Sequence, residues 1–291
     1  MIKRRDFLKT AAAAGGTGLL APLSGLASRK ANSIFQRIDF QTCMPGEFDG
    51  KPFGPKELTA LEDEAGVDRF VVFPEATLRP DNVGLAQRIQ GHPRMIGGAG
   101  VNPTLGDEAV RELERSVKEF GFRGVRLSPV AHSYSIDADF VQPLVRKAAE
   151  LGVPITIENG DTAYCSPARI AAVAGKFPEV PIILDTAFRA PVRPRGEPTG
   201  REMVEVMWKC PNLYLGLTAL TTCQPAYLMS AVWAGGPDRV VFGSYAPSGI
   251  PLFARKAIEE SELGPEAEAK IFGGTLRRLY QLDGRSKGGV G

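Results

Sequence analysis

Two carboxylates close neighbouring apolar runs in this 291-residue chain. Glu158 ends Pro154-Ile-Thr-Ile-Glu158, and Asp185 ends Pro181-Ile-Ile-Leu-Asp185. Paired carboxyls can share acid–base work when burial, or the charge of one on the other, separates their pKa values. Residues of complementary chemistry end the other runs. Arg126, in Gly124-Val-Arg-Leu-Ser128, and Arg189 can each clamp a carboxylate with two parallel N–H donors. Tyr245 can donate to a developing oxyanion. His132, in Ser128-Pro-Val-Ala-His-Ser-Tyr134, is a candidate acid or base. Gln41 and Cys43 end the run Ile38-Asp-Phe-Gln-Thr-Cys43 and complete the set as substrate-binding candidates. The bland alternative is an internal ion-pair network, because structural networks also set arginines beside carboxylates.

Counting limits the chemistry. The chain has 2 histidines, His92 and His132, so a multi-histidine zinc centre is excluded. His92 lies in the turn Gln90-Gly-His-Pro-Arg94 and reads as a surface residue. The 4 cysteines are Cys43, Cys165, Cys210 and Cys223, with no Cys-x-x-Cys among them. A Cys43–Cys165 bridge requires Cα atoms within about 7 Å. Cys43 can also be read as a nucleophile, as a soft-metal ligand with Glu158, or as a small buried apolar residue, the commonest fate of a free cysteine.

The elements that must carry these residues are eight short apolar runs: Arg37–Gln41, Arg69–Pro74, Met95–Val101, Gly124–Ser128, Pro154–Glu158, Pro181–Asp185, Asn212–Leu217 and Arg239–Gly243. Apolar runs without alternation suit parallel strands covered on both faces. Helical segments separate them, among them Glu57–Ala65, Asp107–Phe120, Asp139–Leu151, Ala168–Phe177 and Arg201–Lys209, several stopped by a glycine. Strand and helix alternating in this way predict an α/β fold, a (β/α)8 TIM barrel, with its active site at the C-terminal strand ends. Those ends carry Gln41, Cys43, Glu75, Asn102, Arg126, Ser128, Glu158, Asp161, Asp185, Arg189, Thr218, Ser244 and Tyr245. Trp208 and Trp233 read as packing residues.

Outside the barrel, Arg4-Arg5-Asp-Phe-Leu-Lys9 followed by a weakly apolar stretch has the layout of a twin-arginine (Tat) export signal, with cleavage near Ala27. The expected organisation is a signal peptide over 1–33, a barrel over 34–282 and a disordered tail over 283–291. With 35 basic and 33 acidic residues the net charge is +2, which argues against nucleic acid as the main partner. No long apolar run follows the first 30 positions, so no membrane span is expected in the mature protein. The expected partners are a small-molecule ligand and the Tat export machinery, with a homo-oligomer left open.

Taken in order, these phrases carry a resemblance. Ile38-Asp-Phe-Gln-Thr-Cys43, Gly121-Phe-Arg-Gly-Val-Arg-Leu-Ser-Pro129, Gly152-Val-Pro-Ile-Thr-Ile-Glu158, Phe177-Pro-Glu-Val-Pro-Ile-Ile-Leu-Asp185, Pro237-Asp-Arg-Val-Val-Phe-Gly-Ser244 and Ile271-Phe-Gly-Gly-Thr275 follow each other at the right spacing. The chain resembles the amidohydrolase-related family of aminocarboxymuconate-semialdehyde decarboxylase-like and 2-pyrone-4,6-dicarboxylate lactonase-like enzymes over roughly residues 36–282. That family places histidines after strands one, five and six and an aspartate after strand eight, around a divalent metal. Here Gln41, Cys43, Glu158, Thr186 and Tyr245 stand at those positions. The resemblance therefore implies a metal-dependent-hydrolase-like barrel, and the replacements imply that the usual metal is absent. The expected function is a metal-independent hydrolase or lyase acting on a small carboxylated or lactone substrate. The alternative is an inactive periplasmic barrel that binds a small ligand or a protein partner.

Overall fold

The computed structural model describes residues 35–158, 162–185, 205–218 and 225–283, all within the unit Ile34–Gly291. The expected signal peptide and, beyond Asp283, the expected tail lie outside these residues, as do Asp161, Thr186, Arg189 and Cys223.

The barrel strands are β1 (Ile38–Cys43), β4 (Arg69–Phe73), β5 (Met95–Gly97), β6 (Ala99–Val101), β7 (Val125–Leu127), β8 (Ile155–Glu158), β9 (Ile182–Asp185), β10 (Leu213–Gly216) and β11 (Val240–Val241). A hairpin of β2 (Gly46–Phe48) and β3 (Lys51–Phe53), which the apolar pattern did not reveal, follows β1. All barrel pairings are parallel: β1-β4-β5 form one ladder and β6-β7-β8-β9-β10-β11 the other. Two seams join the ladders. Gly98 N donates to Val72 O at 2.9 Å, so β5 and β6 act as a single barrel strand broken at Gly98. On the other side Phe40 N donates to Phe242 O at 3.1 Å, Cys43 N donates to Ala246 O at 2.8 Å, and Thr42 bridges Ala246. The predicted eight-strand TIM barrel is the architecture observed.

Close packing inside the barrel explains the break in the third strand. A Cβ on Gly98 would lie 2.2 Å from Phe73 Cε1, and one on Gly216 would lie 2.2 Å from Phe40 Cζ. Only glycine lets those two rings fill the interior. Ile38, Phe40, Val71, Phe73, Ile96, Ile183, Tyr214 and Val241 form this inner cluster, closed below by Leu276, Leu279 and Tyr280. The alternate strand residues, such as Val72, Leu127, Ile157, Leu184 and Leu215, pack outward with the helices. Each strand is thus buried on both faces, which is why its sequence reads as an unbroken apolar run.

The helices follow local signals. Asp107–Lys118 carries acidic residues in its first turn and buries Ala109, Leu113 and Ser116. Gln142–Leu151 ends at Gly152, whose φ of 64° is the left-handed stop expected of a glycine. The predicted start of that helix at Asp139 is a 3-10 turn, Asp139–Val141. The last helix opens earlier than Ile271, as Pro265–Ala269, and reaches Thr275–Leu279 through a π turn. The two tryptophans correct the sequence reading. They meet edge to face at 5.2 Å, yet Trp208 and Trp233 are 56% and 70% exposed, so neither is core packing.

Candidate active site

The end of β1 is shaped by a buried carboxyl that sequence reasoning passed over. The β1–β4 register slips between Asp39 and Thr42, which leaves backbone N–H groups outside the regular ladder. Asp39 Oδ1 accepts two of them, from Gln41 N at 2.9 Å and from Ser244 N at 3.1 Å. Burial lifts the Asp39 carboxyl to about 7, against the hydrogen bonds that lower it. The available signal was a charged residue inside a fully buried run, which needs partners. Beyond the slip, Cys43 pairs with Phe73, an inner-cluster residue. Alternation from that pairing turns Cys43 to the barrel interior, and Gln41, inside the slip, is buried at the same strand end.

Around this end the structure gathers most of the candidate residues. Arg126, projecting from β7, is buried, donates through Nη2 to Pro74 O, and lies with its Cζ 5.2 Å from the Phe73 ring centroid. Its Nε stands 4.0 Å from Glu158 Oε2. The other Glu158 oxygen, Oε1, accepts the Tyr245 hydroxyl at 2.6 Å. Burial alone would raise the Glu158 carboxyl. Arg126, with Ser128 and Tyr245 hydrogen bonds behind it, outweighs burial and holds it below its ordinary value. Burial and the Glu158 charge push the Tyr245 hydroxyl up, so it remains a donor. Tyr245 sits at φ 64°, a left-handed conformation that costs a non-glycine residue about 1 kcal/mol or more. Its N–H donates to Gln41 O at 2.9 Å, and its carbonyl accepts Gly249 N at 2.9 Å. Those bonds hold the strained turn that aims the phenol at Glu158.

Asp185 is the register partner of Glu158 on the neighbouring strand. Its Oδ1 accepts the Thr218 hydroxyl, while Oδ2 is buried without a partner among the described residues. Full burial lifts this carboxyl from 3.8 to about 7, with the Glu158 charge adding to the rise. The two carboxyls are therefore separated: Glu158 is ionised against Arg126, and Asp185 exchanges its proton near neutrality. Cys43 is a free thiol. Burial raises its pKa, and Arg126 acts against that rise, so at neutral pH it is a thiol and not a thiolate. Gln41 is 1% exposed, and neither its Oε1 nor its Nε2 has a partner among the described residues.

Other candidates fall further out. His132 Nε2 lies 2.8 Å from Thr77 O. A carbonyl only accepts, so Nε2 carries the proton, and buried Nδ1 is left without a partner. Burial lowers its pKa, and it feels Arg126 and Glu158 only through space. Asn102 and Ser244 serve the backbone: Asn102 Oδ1 caps the turn at Thr104 N (3.1 Å), and Ser244 Oγ accepts Ala246 N at 3.0 Å. Glu75 is exposed and acts on Cys43 through its charge. His92 is exposed, as a turn residue should be. Because Cys43 is free, no bridge joins it to Cys165, which is buried with Sγ 4.0 Å from Glu158 O. Arg189 lies outside the described residues. Ser128 and Thr218, strand-end hydroxyls to which the sequence assigned no role, each serve one carboxyl: Ser128 lowers Glu158, and Thr218 tempers the rise of Asp185.

The family model for amidohydrolases matches residues 29–282. The chain belongs to the amidohydrolase family. A Tat signal sequence matches residues 1–21, which marks the protein for export. Among the described residues no helix is long and apolar enough to cross a membrane. An L-fucono-1,5-lactonase of Burkholderia ambifaria is 24% identical over 258 residues, covering 80% of this chain and 87% of that protein. The solved structures it resembles include a TIM-barrel protein of Bordetella bronchiseptica (TM-score 0.70, 20% identity, 86% of this chain and 100% of the other). A 5-carboxyvanillate decarboxylase of Sphingomonas paucimobilis (0.64, 15%, 85% and 99%) shares the fold. So does a manganese-bound dihydroxybenzoic acid decarboxylase of Polaromonas (0.65, 18%, 86% and 98%).

Among the described residues no group of three His, Cys, Asp or Glu side chains is arranged to hold a metal ion. The local chemistry agrees with that: Arg126 puts a fixed cation beside Glu158 and Cys43, and the Glu158 oxygens are already engaged by Arg126 and Tyr245. These residues, as arranged, do not fit a divalent cation.

Proposed function

We propose that this amidohydrolase-family protein is an exported hydrolase that opens a small lactone without a metal ion. The observation that carries the reading is the pair of adjacent carboxyls in opposite states, Glu158 held ionised and Asp185 poised at about 7. A general base works best when its pKa lies near the operating pH. The kinship with a lactonase supports an ester ring as the substrate.

In the reaction, the Asp185 carboxylate takes a proton from water while the water oxygen bonds to the acyl carbon. The carbonyl π electrons move onto oxygen, giving a tetrahedral oxyanion. The acyl–oxygen ring bond then breaks, and the departing ring oxygen takes the proton back from Asp185. Lactone plus water gives one hydroxy acid, and Asp185 returns to its starting state. Glu158, Arg126 and Tyr245 act on this step as a fixed electrostatic wall: the Glu158 charge raises Asp185, and Arg126 limits that rise. Positioned acid–base catalysis of this kind contributes about 10²–10⁴-fold.

The test is turnover of small lactones by the full chain in the presence of excess chelator, followed by pH-stat titration and corrected for spontaneous opening. Turnover unchanged by chelator, with stoichiometric metal absent by mass spectrometry, is the expected result. Turnover that disappears on chelation and returns with manganese or zinc overturns the metal-free reading. Binding of a lactone analogue without turnover would instead identify a ligand-binding barrel.

A further inference from the structure

We propose that the mouth of this barrel selects an uncharged, hydroxylated ring over a carboxylated one, with Gln41 as the residue that reads a ring hydroxyl. The inference rests on the lactone-opening reading and names the substrate class of the same site.

Three observations carry it. First, the Arg126 guanidinium is already engaged. It is buried, donates to Pro74 O, stands 4.0 Å from Glu158 and covers the Phe73 ring. A substrate carboxylate would have to share this one cation with Glu158, weakening the countercharge of a buried carboxylate. Second, among the described residues the remaining charge at the mouth is negative. Glu158 and Glu75 both act on Cys43, Asp185 shares the site, and His132 is held towards its neutral form by burial. An added carboxylate would meet like charge where water is scarce. Third, the polar atoms left for a ligand are uncharged or able to become so. Gln41 Nε2 is a donor, Gln41 Oε1 an acceptor, and Asp185 Oδ2 an acid that protonates near neutrality; all three are buried without a partner among the described residues. Leaving such groups unmatched is costly, so a ligand that pairs them is favoured. A donor and an acceptor on one amide match a ring hydroxyl of a polyol lactone, which both accepts and donates. A site built to hydrogen-bond a hydroxyl rejects analogues lacking it far more strongly than an apolar pocket rejects a missing methylene.

The experiment compares four probes on the full chain. Glucono-1,5-lactone is uncharged and hydroxylated, glucaro-1,4-lactone adds a carboxylate, and δ-valerolactone lacks hydroxyls. Gluconolactam is a stable uncharged mimic for calorimetric binding. We expect kcat/KM to be at least tenfold higher for the first than for either of the other two lactones. Gln41→Leu should raise KM for glucono-1,5-lactone about tenfold and leave δ-valerolactone within twofold. A carboxylated lactone preferred over the uncharged one overturns the proposal, and so does a Gln41→Leu defect equal on both uncharged lactones. If no lactone is opened, the hydrolase reading fails by itself. Gluconolactam binding that weakens in Gln41→Leu would then still uphold the proposed selectivity, whereas absence of gluconolactam binding would overturn it. The comparison among probes on the unmodified chain needs no variant, so a folding defect in Gln41→Leu cannot hide the answer.

Discussion

Asp185→Asn separates the two consequences of burying that carboxyl. Burial lifts it from 3.8 to about 7, a penalty on the ionised form of about 4 kcal/mol. In the unfolded chain the group ionises near its ordinary value. Between about pH 4 and pH 7 the folded protein therefore keeps a proton that the unfolded chain has lost. Stability from this group is full below that window and falls as pH rises through it. Asparagine keeps an oxygen to accept the Thr218 hydroxyl and has no proton to lose. At pH 4 parent and variant should melt alike. At pH 8 the variant should melt higher, by up to about 8–16 °C at ~2–4 °C per kcal/mol for a domain of this size. Activity should move the other way. The parent's kcat for glucono-1,5-lactone should rise with pH through about 7, because the ionised carboxyl is the base, and the variant should lose about 10²–10⁴-fold. Melting by circular dichroism at both pH values and pH-stat kinetics read the two effects separately. A melting difference that does not depend on pH would show that Asp185 is ionised at low pH in the folded protein. A variant that keeps the parent's kcat would place the base elsewhere.

Other residues give independent checks. Arg126→Met strands Glu158 beside a lost countercharge and should cost about 3–5 kcal/mol in urea unfolding; a loss under 1 kcal/mol would mean that the pair contributes little. Tyr245→Phe removes the 2.6 Å hydrogen bond to Glu158 and should cost about 1–3 kcal/mol, with slower turnover and little change in KM. An unchanged kcat would leave the phenol a packing residue. Glu62, fully buried on Pro55–Glu64 with both carboxyl oxygens unpartnered, is raised by burial and then by Asp39. Its stabilising proton is lost as pH rises, so Glu62→Gln should stabilise the protein in alkaline solution and change little in acid, as thermal melts would show. Gly98→Ala places a Cβ 2.2 Å from the Phe73 ring and should cost about 1–3 kcal/mol by overpacking; a neutral result would show that the Phe73 ring yields.

Much of the barrel is legible in the sequence because its strands are buried on both faces. Such strands must be apolar throughout, and runs like Pro181–Asp185 and Asn212–Leu217 carry their own signature. The glycine stop at Gly152 is equally local, since it answers to the backbone of its own helix. The polar strand ends Glu158, Asp185, Arg126 and Tyr245 were legible as a set for a related reason: a charged residue closing an apolar run stands out. The relations among them were not. That Arg126 is engaged by Glu158 and Pro74 O, and that the Tyr245 phenol lands on Glu158, depends on contacts between residues 87 and 52 positions apart. The buried Asp39 that accepts Ser244 N spans 205 positions. Single-sequence periodicity reports which face a residue takes, and it carries no information about the partner it meets there. Residue types and their places on the barrel come from the sequence itself. The division of the two carboxyls into one held ionised and one that titrates near neutrality was decided only by tertiary structure, because desolvation and countercharge exist only once distant strands close the barrel.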